Sequence, residues 1–319
     1  MQKRILTITL NPGLERLVVL NKFVPGEVNR AILAFQTAGG KGINTSKALK
    51  ILGVPVLASG LYGGITGILM TMEMLSREID LDFVRTQTPT RYVYTIIEAG
   101  EKRQTALTEP GMPVSREELM DFKKRYEQLL SGCRLVVLSG TAPDGIAKNI
   151  YAKLIKRAHR AGAGVVLDTG GEYLRLALPT KPDAIKPNLQ ELQSALGCRI
   201  KGIPGLKKAV TRLMKSGIKH VGVSLGKNGA VFGFDSQVWM AGMPDLKPVN
   251  VIGSGDCMTA GMAAALIGCN PAKRGRVDAE GIIRLSMACA GANVLTPEPG
   301  IIRMEDVRKI YRKVTIKKT

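Results

Sequence analysis

Aromatic residues are scarce in this chain: 4% of 319 residues, with one tryptophan. The core must therefore be mostly aliphatic. No RNA-binding aromatic motif and no zinc-finger spacing occurs, so nothing supports nucleic acid as a partner beyond charge. Histidine is scarcer still, with only His159 and His220. One reads as a helix end and the other as a strand start, which leaves no material for a histidine triad or a zinc site. The five cysteines are odd in number, contain no CxxC pair and sit in apolar or small-residue settings. A disulfide framework is not expected, and a reducing compartment fits. No apolar run is long enough to span a bilayer. The short run after Arg4-Ile5 is broken by Asn11-Pro12, unlike a signal peptide. A soluble, cytoplasmic protein with no membrane partner is expected. Acidic residues are also few, 26 against 46 Lys and Arg, giving a net charge of +20. The basic residues are spread along the chain, which reads as solvated surface with phosphate-binding cations among it. Internal repeats and low-complexity segments are absent.

What the chain does have is glycine, 36 residues of it, and a regular alternation of strand and helix. Arg4–Leu10, Val54–Tyr62, Arg134–Ser139, Gly164–Leu167, Ala184–Ile185 and His220–Ser224 read as strands apolar on both faces. Helical patterns follow most of them. This predicts an α/β fold with a mainly parallel central sheet flanked by helices. Ligands in such folds sit beyond the strand C-terminal ends. Asn11, Gly63, Gly140, Asp168, Asn188 and Gly226 all fall there, and Glu15 reads as part of a loop after the first strand that could face a ligand. Five further extended pieces, Leu17–Leu20, Arg30–Thr37, Asp82–Thr86, Arg91–Ala99 and Arg103–Thr108, suggest a small separate sheet. Such a sheet needs a partner to bury its face. The expected organisation is one domain, 1–319, with lid strands from about 14–37 and 82–108.

Two glycine-rich turns lead into helices. In Gly39-Gly40-Lys41-Gly42-Ile43-Asn44 the glycines allow close approach to a ligand and Lys41 offers a point charge. No Ser or Thr follows Lys41, so this is not a P-loop. An exposed lysine on a plain turn reads equally well from this stretch alone. In Gly253-Ser254-Gly255-Asp256 the helix start supplies open N–H groups and positive potential, an anion site. A carboxylate inside it is out of place unless it accepts a proton beside the anion. Taken alone, those four residues read more simply as a helix cap.

Taken nearly end to end, the chain resembles the PfkB branch of the ribokinase-like sugar kinases, and within it the 1-phosphofructokinases and tagatose-6-phosphate kinases. The resemblance rests on Thr7–Pro12, Gly26–Arg30, Gly39–Asn44, Glu109-Pro110-Gly111, Ser139-Gly140, Lys186-Pro187-Asn188 with Glu191, Ser224–Gly229 and Gly253–Asp256. It implies ATP-dependent phosphorylation of a ketohexose phosphate, with magnesium as the metal and a homodimer formed through the lid sheet. It implies Asp256 as the base, with Gly253, Ser254 and Gly255 stabilising the transferred phosphoryl group. Glu15, Arg30, Gly40, Lys41, Asn44, Arg91, Arg103 and Ser139 would face the acceptor. Lys41, Arg30 and Arg91 would hold its phosphate, with Arg103 a weaker choice. Asn188, Ser224, Gly226, Gly229 and Asn293 would line the nucleotide, and Glu191 would organise the metal indirectly. Two departures stand out. Relatives usually carry Asp where this chain has Glu15, and many have Thr or Ser at Val251. Fructose 1-phosphate leads tagatose 6-phosphate and fructose 6-phosphate as acceptor. The remaining readings are a nucleoside or other small-molecule kinase of the same fold, and a non-catalytic anion- or nucleic-acid-binding protein supported only by net charge.

Overall fold

A computed structural model describes residues 4–101, 103–111, 113–272 and 278–319. The chain opens with β1 (Arg4–Thr9), leaves for β2 (Gly13–Leu20) and β3 (Leu33–Gly39), and returns through α1 (Lys41–Ile51). Next come β4 (Val56–Gly63), α2 (Gly64–Ser76) and β5 (Asp80–Thr86). A second excursion supplies β6 (Arg91–Glu98) and β7 (Arg103–Thr108). Strands and helices then alternate through α3 (Arg116–Leu130), β8 (Cys133–Ser139), α4 (Ile150–Arg160), β9 (Gly164–Asp168) and α5 (Gly171–Ala177). They continue through β10 (Ala184–Ile185), α6 (Leu189–Leu196), α7 (Gly202–Lys215) and β11 (His220–Ser224). The hairpin of β12 (Ala230–Phe234) and β13 (Gln237–Gly242) precedes α8 (Ser254–Leu266), α9 (Ala279–Asn293), α10 (Met304–Lys313) and β14 (Thr315–Lys318).

The main sheet has the order β14-β13-β12-β11-β10-β9-β8-β1-β4-β5. From β5 to β11 every pairing is parallel, and from β11 to β14 every pairing is antiparallel. Helices cover both faces, so the parallel strands are buried on each side and read as continuous apolar runs. One core layer packs Ile43, Leu49, Met262 and Leu285 under α1, α8 and α9. The other packs Phe122, Tyr126, Leu154 and Leu206 under α3, α4 and α7. Each such side chain contributes about 1.5–3 kcal/mol when fully buried. Local signals agree with this frame. Ser115 and Glu118 form the capping box their spacing predicts, with Glu118 N donating to Ser115 Oγ at 3.1 Å and Ser115 N to Glu118 Oε2 at 2.8 Å. A cap of this kind is worth about 1 kcal/mol.

The second sheet runs β3-β2-β6-β7. Its β2–β6 pairing is parallel and the other two are antiparallel. Two expectations are corrected here. The piece at Asp82–Thr86 is not a lid strand: Asp80–Thr86 pairs in parallel with β4 and forms the edge of the main sheet. Leu81 and Phe83 pack on the main core, and Phe83 meets Tyr62 edge-on at 6.5 Å. Apolar burial therefore draws this strand away from the lid. Glu15, expected in a loop, lies within β2, directly opposite Thr37 of β3.

Candidate active site

The turn before α8 is built so that only glycine fits. Gly253 has φ 83°, and a Cβ there would lie 2.9 Å from Pro299 Cα and from Gly300 N. Gly253 is the N-cap of α8, and no side chain caps the helix. The first-turn amides are thus left without the usual side-chain acceptor, at the positive end of the helix dipole. The cap reading of Asp256 is removed by the same geometry. Its Oδ2 instead accepts a hydrogen bond from Asn44 Nδ2 at 2.8 Å, reaching across to α1. Burial, and then the negative charge of Asp168, push the Asp256 carboxyl up to about 7; Lys41, the Asn44 amide and Lys186 pull the other way. A carboxylate poised there is suited to general-base work near neutral pH.

Asp168 ends β9 with 0% exposure. It accepts from Lys41 Nζ at 3.2 Å and Thr259 Oγ1 at 2.6 Å, and lies 3.3 Å from Lys186 Nζ. Burial opposes its charge, but Lys186 and Lys41 prevail and hold it below the usual carboxylate range. Lys41 also donates to Glu191 Oε1 at 2.8 Å. Burial acts against the Lys41 cation, yet Asp168, Glu191 and Asp256 together raise its pKa well above that of an ordinary lysine. Lys41 thus joins the floor of the site, rather than standing with Arg30 and Arg91. Lys186 was given no role by sequence reasoning. A Cβ on Gly255 would lie 3.3 Å from its Nζ, so this ammonium sits against the anion turn. Its signal was a lysine at the end of a buried strand, which needs a counter-ion; the counter-ion, Asp168, could not be paired with it by spacing. Ser139 lies beside Asp168 across β8 and β9, buried, with its Oγ unpartnered among the described residues.

On the lid side, Gly40 has φ 113°, and a Cβ on it would lie 2.9 Å from Thr9 Cγ2. Glu15 folds back against Gly39 and is buried. Burial pushes its carboxyl up, against the pull of Lys47, the Gly40 N–H and Arg91. Arg91 reaches Glu109 O at 3.1 Å and Asn11 O at 3.4 Å between lid and body. Arg30 is exposed in the loop joining β2 to β3. Arg103 is not brought to the site. It faces Glu98 directly across the β6–β7 hairpin and grips both its oxygens, at 2.7 and 2.8 Å, an ordinary cross-strand ion pair.

On the other side of the anion turn lies a cavity of about 550 Å³, walled by Ser224, Gly226, Gly229, Val251, Met258 and Met287. Ser254 and Gly255 also line it, so cavity and anion turn are continuous. Asn188 and Glu191 form the capping box of α6: Glu191 N donates to Asn188 Oδ1, and Asn188 N to Glu191 Oε2, both at 2.8 Å. One carboxylate therefore fixes its own helix and the Lys41 ammonium. Asn293 does not face the cavity. It is fully buried, and its Nδ2 donates to Glu298 O at 3.2 Å and Ile301 O at 3.0 Å, holding the turn after α9.

The fold, with an anion turn set between the small four-stranded sheet and a largely apolar cavity, is that of the ribokinase-like kinases. Residues 15–305 match the pfkB family of carbohydrate kinases, and the chain belongs to that family. Solved structures agree. A possible 1-phosphofructokinase of Thermotoga maritima is 27% identical over 99% of both chains, with a TM-score of 0.90. Escherichia coli phosphofructokinase-2, solved with fructose 6-phosphate, is 26% identical over 97% of this chain and 98% of that one, with a TM-score of 0.86. The tetrameric inhibited form of the same enzyme has the same identity and coverage and a TM-score of 0.88. The protein is a sugar kinase.

Proposed function

We propose that the protein transfers the terminal phosphoryl group of ATP to a ketohexose phosphate, with fructose 1-phosphate as the preferred acceptor and fructose 1,6-bisphosphate as the product. The observation that carries this reading is Asp256 itself: a buried carboxylate with a raised pKa, oriented by Asn44 beside open helix amides. Asp256 takes the proton of the attacking hydroxyl as the new O–P bond forms and the bond to the ADP leaving group breaks. The amides of Gly253 to Asp256, with Lys186 and Lys41 beside them, stabilise the charge on the moving phosphoryl group. Arg91 in the cleft and Arg30 on the lid loop are the cations offered to the acceptor's own phosphate. A neutral sugar has no use for them. Ser224, Gly226 and Gly229 place the nucleotide.

The donor set fits magnesium. Both Glu191 oxygens and both Asp168 oxygens already have partners, and no cluster of three or more metal-type ligands exists among the described residues. That suits an ion that keeps its waters and is held mainly by phosphates, with Glu191 acting indirectly. When bound, magnesium neutralises charge on the nucleotide phosphates. A 6-phosphofructokinase reading is favoured by the Escherichia coli relative solved with fructose 6-phosphate. Assembly through the lid is supported by exposed apolar residues there, with Leu33 50% and Leu107 56% exposed. No helix among the described residues is long and apolar enough to cross a membrane.

The test is ADP release measured with fructose 1-phosphate, fructose 6-phosphate, tagatose 6-phosphate and fructose. The expected order of kcat/KM places fructose 1-phosphate first and unphosphorylated fructose last. A neutral sugar or nucleoside at the top of that order would overturn the reading.

A further inference from the structure

The chemistry above leaves one buried cation of α1 unexplained. Lys47 is only 1% exposed. Its ammonium donates to Thr37 Oγ1 at 2.5 Å and Ala38 O at 2.7 Å, both on β3, and to Glu298 Oε1 at 3.2 Å. The Thr37 hydroxyl passes its own hydrogen to the same Glu298 oxygen at 2.5 Å. Arg77 of α2 completes the cluster through Nη2 at 2.6 Å from Glu298 Oε1, and also donates to Glu73. Burying an ammonium is costly, and an apolar side chain would fill the place at less cost. What the ion provides here is a defined geometry between three otherwise separate elements.

Those elements matter because of what they touch next. Thr37 stands directly opposite Glu15, whose Oε2 is buried and unpartnered among the described residues. Glu298 immediately precedes Pro299 and Gly300, which form the wall behind Gly253. A Cβ on Gly300 would lie 2.8 Å from Asn44 Cα, so the same wall also supports the residue that orients Asp256. We propose that Lys47 is a positioning residue: through Thr37 and Glu298 it holds the acceptor carboxylate Glu15 and the phosphoryl-transfer turn in one register. An acceptor hydroxyl seated on the open oxygen of Glu15 is then presented to an already aligned Asp256. This rests on the kinase reading given above.

Thr37→Val removes the relay hydroxyl while keeping shape and every charge, and Thr37→Ser restores the hydroxyl. In the full-length chain, Thr37→Val is expected to lower kcat/KM for the acceptor about tenfold, with affinity for a non-hydrolysable ATP analogue within about twofold of wild type. Thr37→Ser should recover most of the loss. Lys47→Met should show the same split and a larger loss, about 100-fold. If Lys47→Met does not fold, Thr37→Val decides. Amide exchange in the ligand-free chain reads the coupling with no acceptor present, and Thr37→Val should speed exchange at Gly253–Asp256 about tenfold. A folded Thr37→Val chain with wild-type kcat/KM and wild-type exchange there would overturn the proposal, as would an equal loss on the ATP side. A wild-type chain that consumes no ATP with any acceptor sinks the kinase reading instead, and the exchange measurement still decides the coupling.

Discussion

The floor of the site and the outer cations of the small sheet treat charge in opposite ways. In the floor, Asp168, Lys41, Lys186 and Asp256 lie within or against the main sheet, with Asp168 and Lys186 almost wholly out of water. Their protonation is set by one another: Asp168 is held down, while Asp256 is pushed up by burial and by its like-charged neighbour. In the lid, Arg30 is exposed and Arg103 is a half-open partner of Glu98. Such pairs are screened and contribute little. On the proposed reading, proton transfer falls to the region where burial and neighbouring charge tune a carboxylate's affinity for a proton, and capture of a phosphorylated acceptor falls to the wetter surface.

The comparison breaks first at Asp256. Asp256→Asn should lower kcat by about 10²–10⁴-fold with little change in binding of an ATP analogue. Near-wild-type turnover in steady-state assays would remove the base from the floor. Lys41→Ala comes next. Its place between Asp168 and Glu191 predicts a fall in kcat, on the order of 10–100-fold, beyond any rise in acceptor KM. A change confined to acceptor KM would return Lys41 to the lid side. The pH profile sharpens the floor further. Because Asp256 must be deprotonated to act, kcat/KM should climb with pH up to about 7 and then level off. Asp168→Asn removes a like charge that raises the Asp256 pKa, so in any active fraction the rising limb should move to lower pH. An unmoved limb would mean that burial alone sets it. The smallest effect is in the lid: Arg103→Ala should leave kcat and both KM values within about twofold, since Glu98 is its only described ion-pair partner.

Much of the frame was readable before any coordinates, because parallel strands buried on both faces leave unbroken apolar runs such as Leu135–Leu138. The edge of the sheet was harder. Asp80–Thr86 alternates like a lid strand, and its parallel pairing with β4 and the packing of Leu81 and Phe83 on the core assign it to the body. Within the site, the glycines announced themselves through turns that exclude a side chain. Charge partners did not. Lys186 and Asp168 are separated by a helix and a loop, and the capping box that ties Glu191 to Asn188 gives no sign in sequence that its other oxygen holds Lys41. Arg103 and Asn293 failed for the converse reason. Both residue types suit ligands, and in both the nitrogen donors were already taken by local neighbours that a linear pattern does not weigh.

The helix α1 carries a consequence for how this protein tolerates change. Most surface helices offer a dispensable face every third or fourth residue, as α4 does with Lys153 and Lys156. In α1 every residue from Gly42 to Leu49 is buried. Asn44 orients the base, Thr45 bonds the carbonyl of Asp256, Ser46 reaches Thr7 of the first strand, and Lys47 binds lid and turn. A saturation scan should therefore show an unbroken block of intolerance along this segment, where an ordinary helix would show a striped one. Sequence drift in this protein has to happen somewhere else.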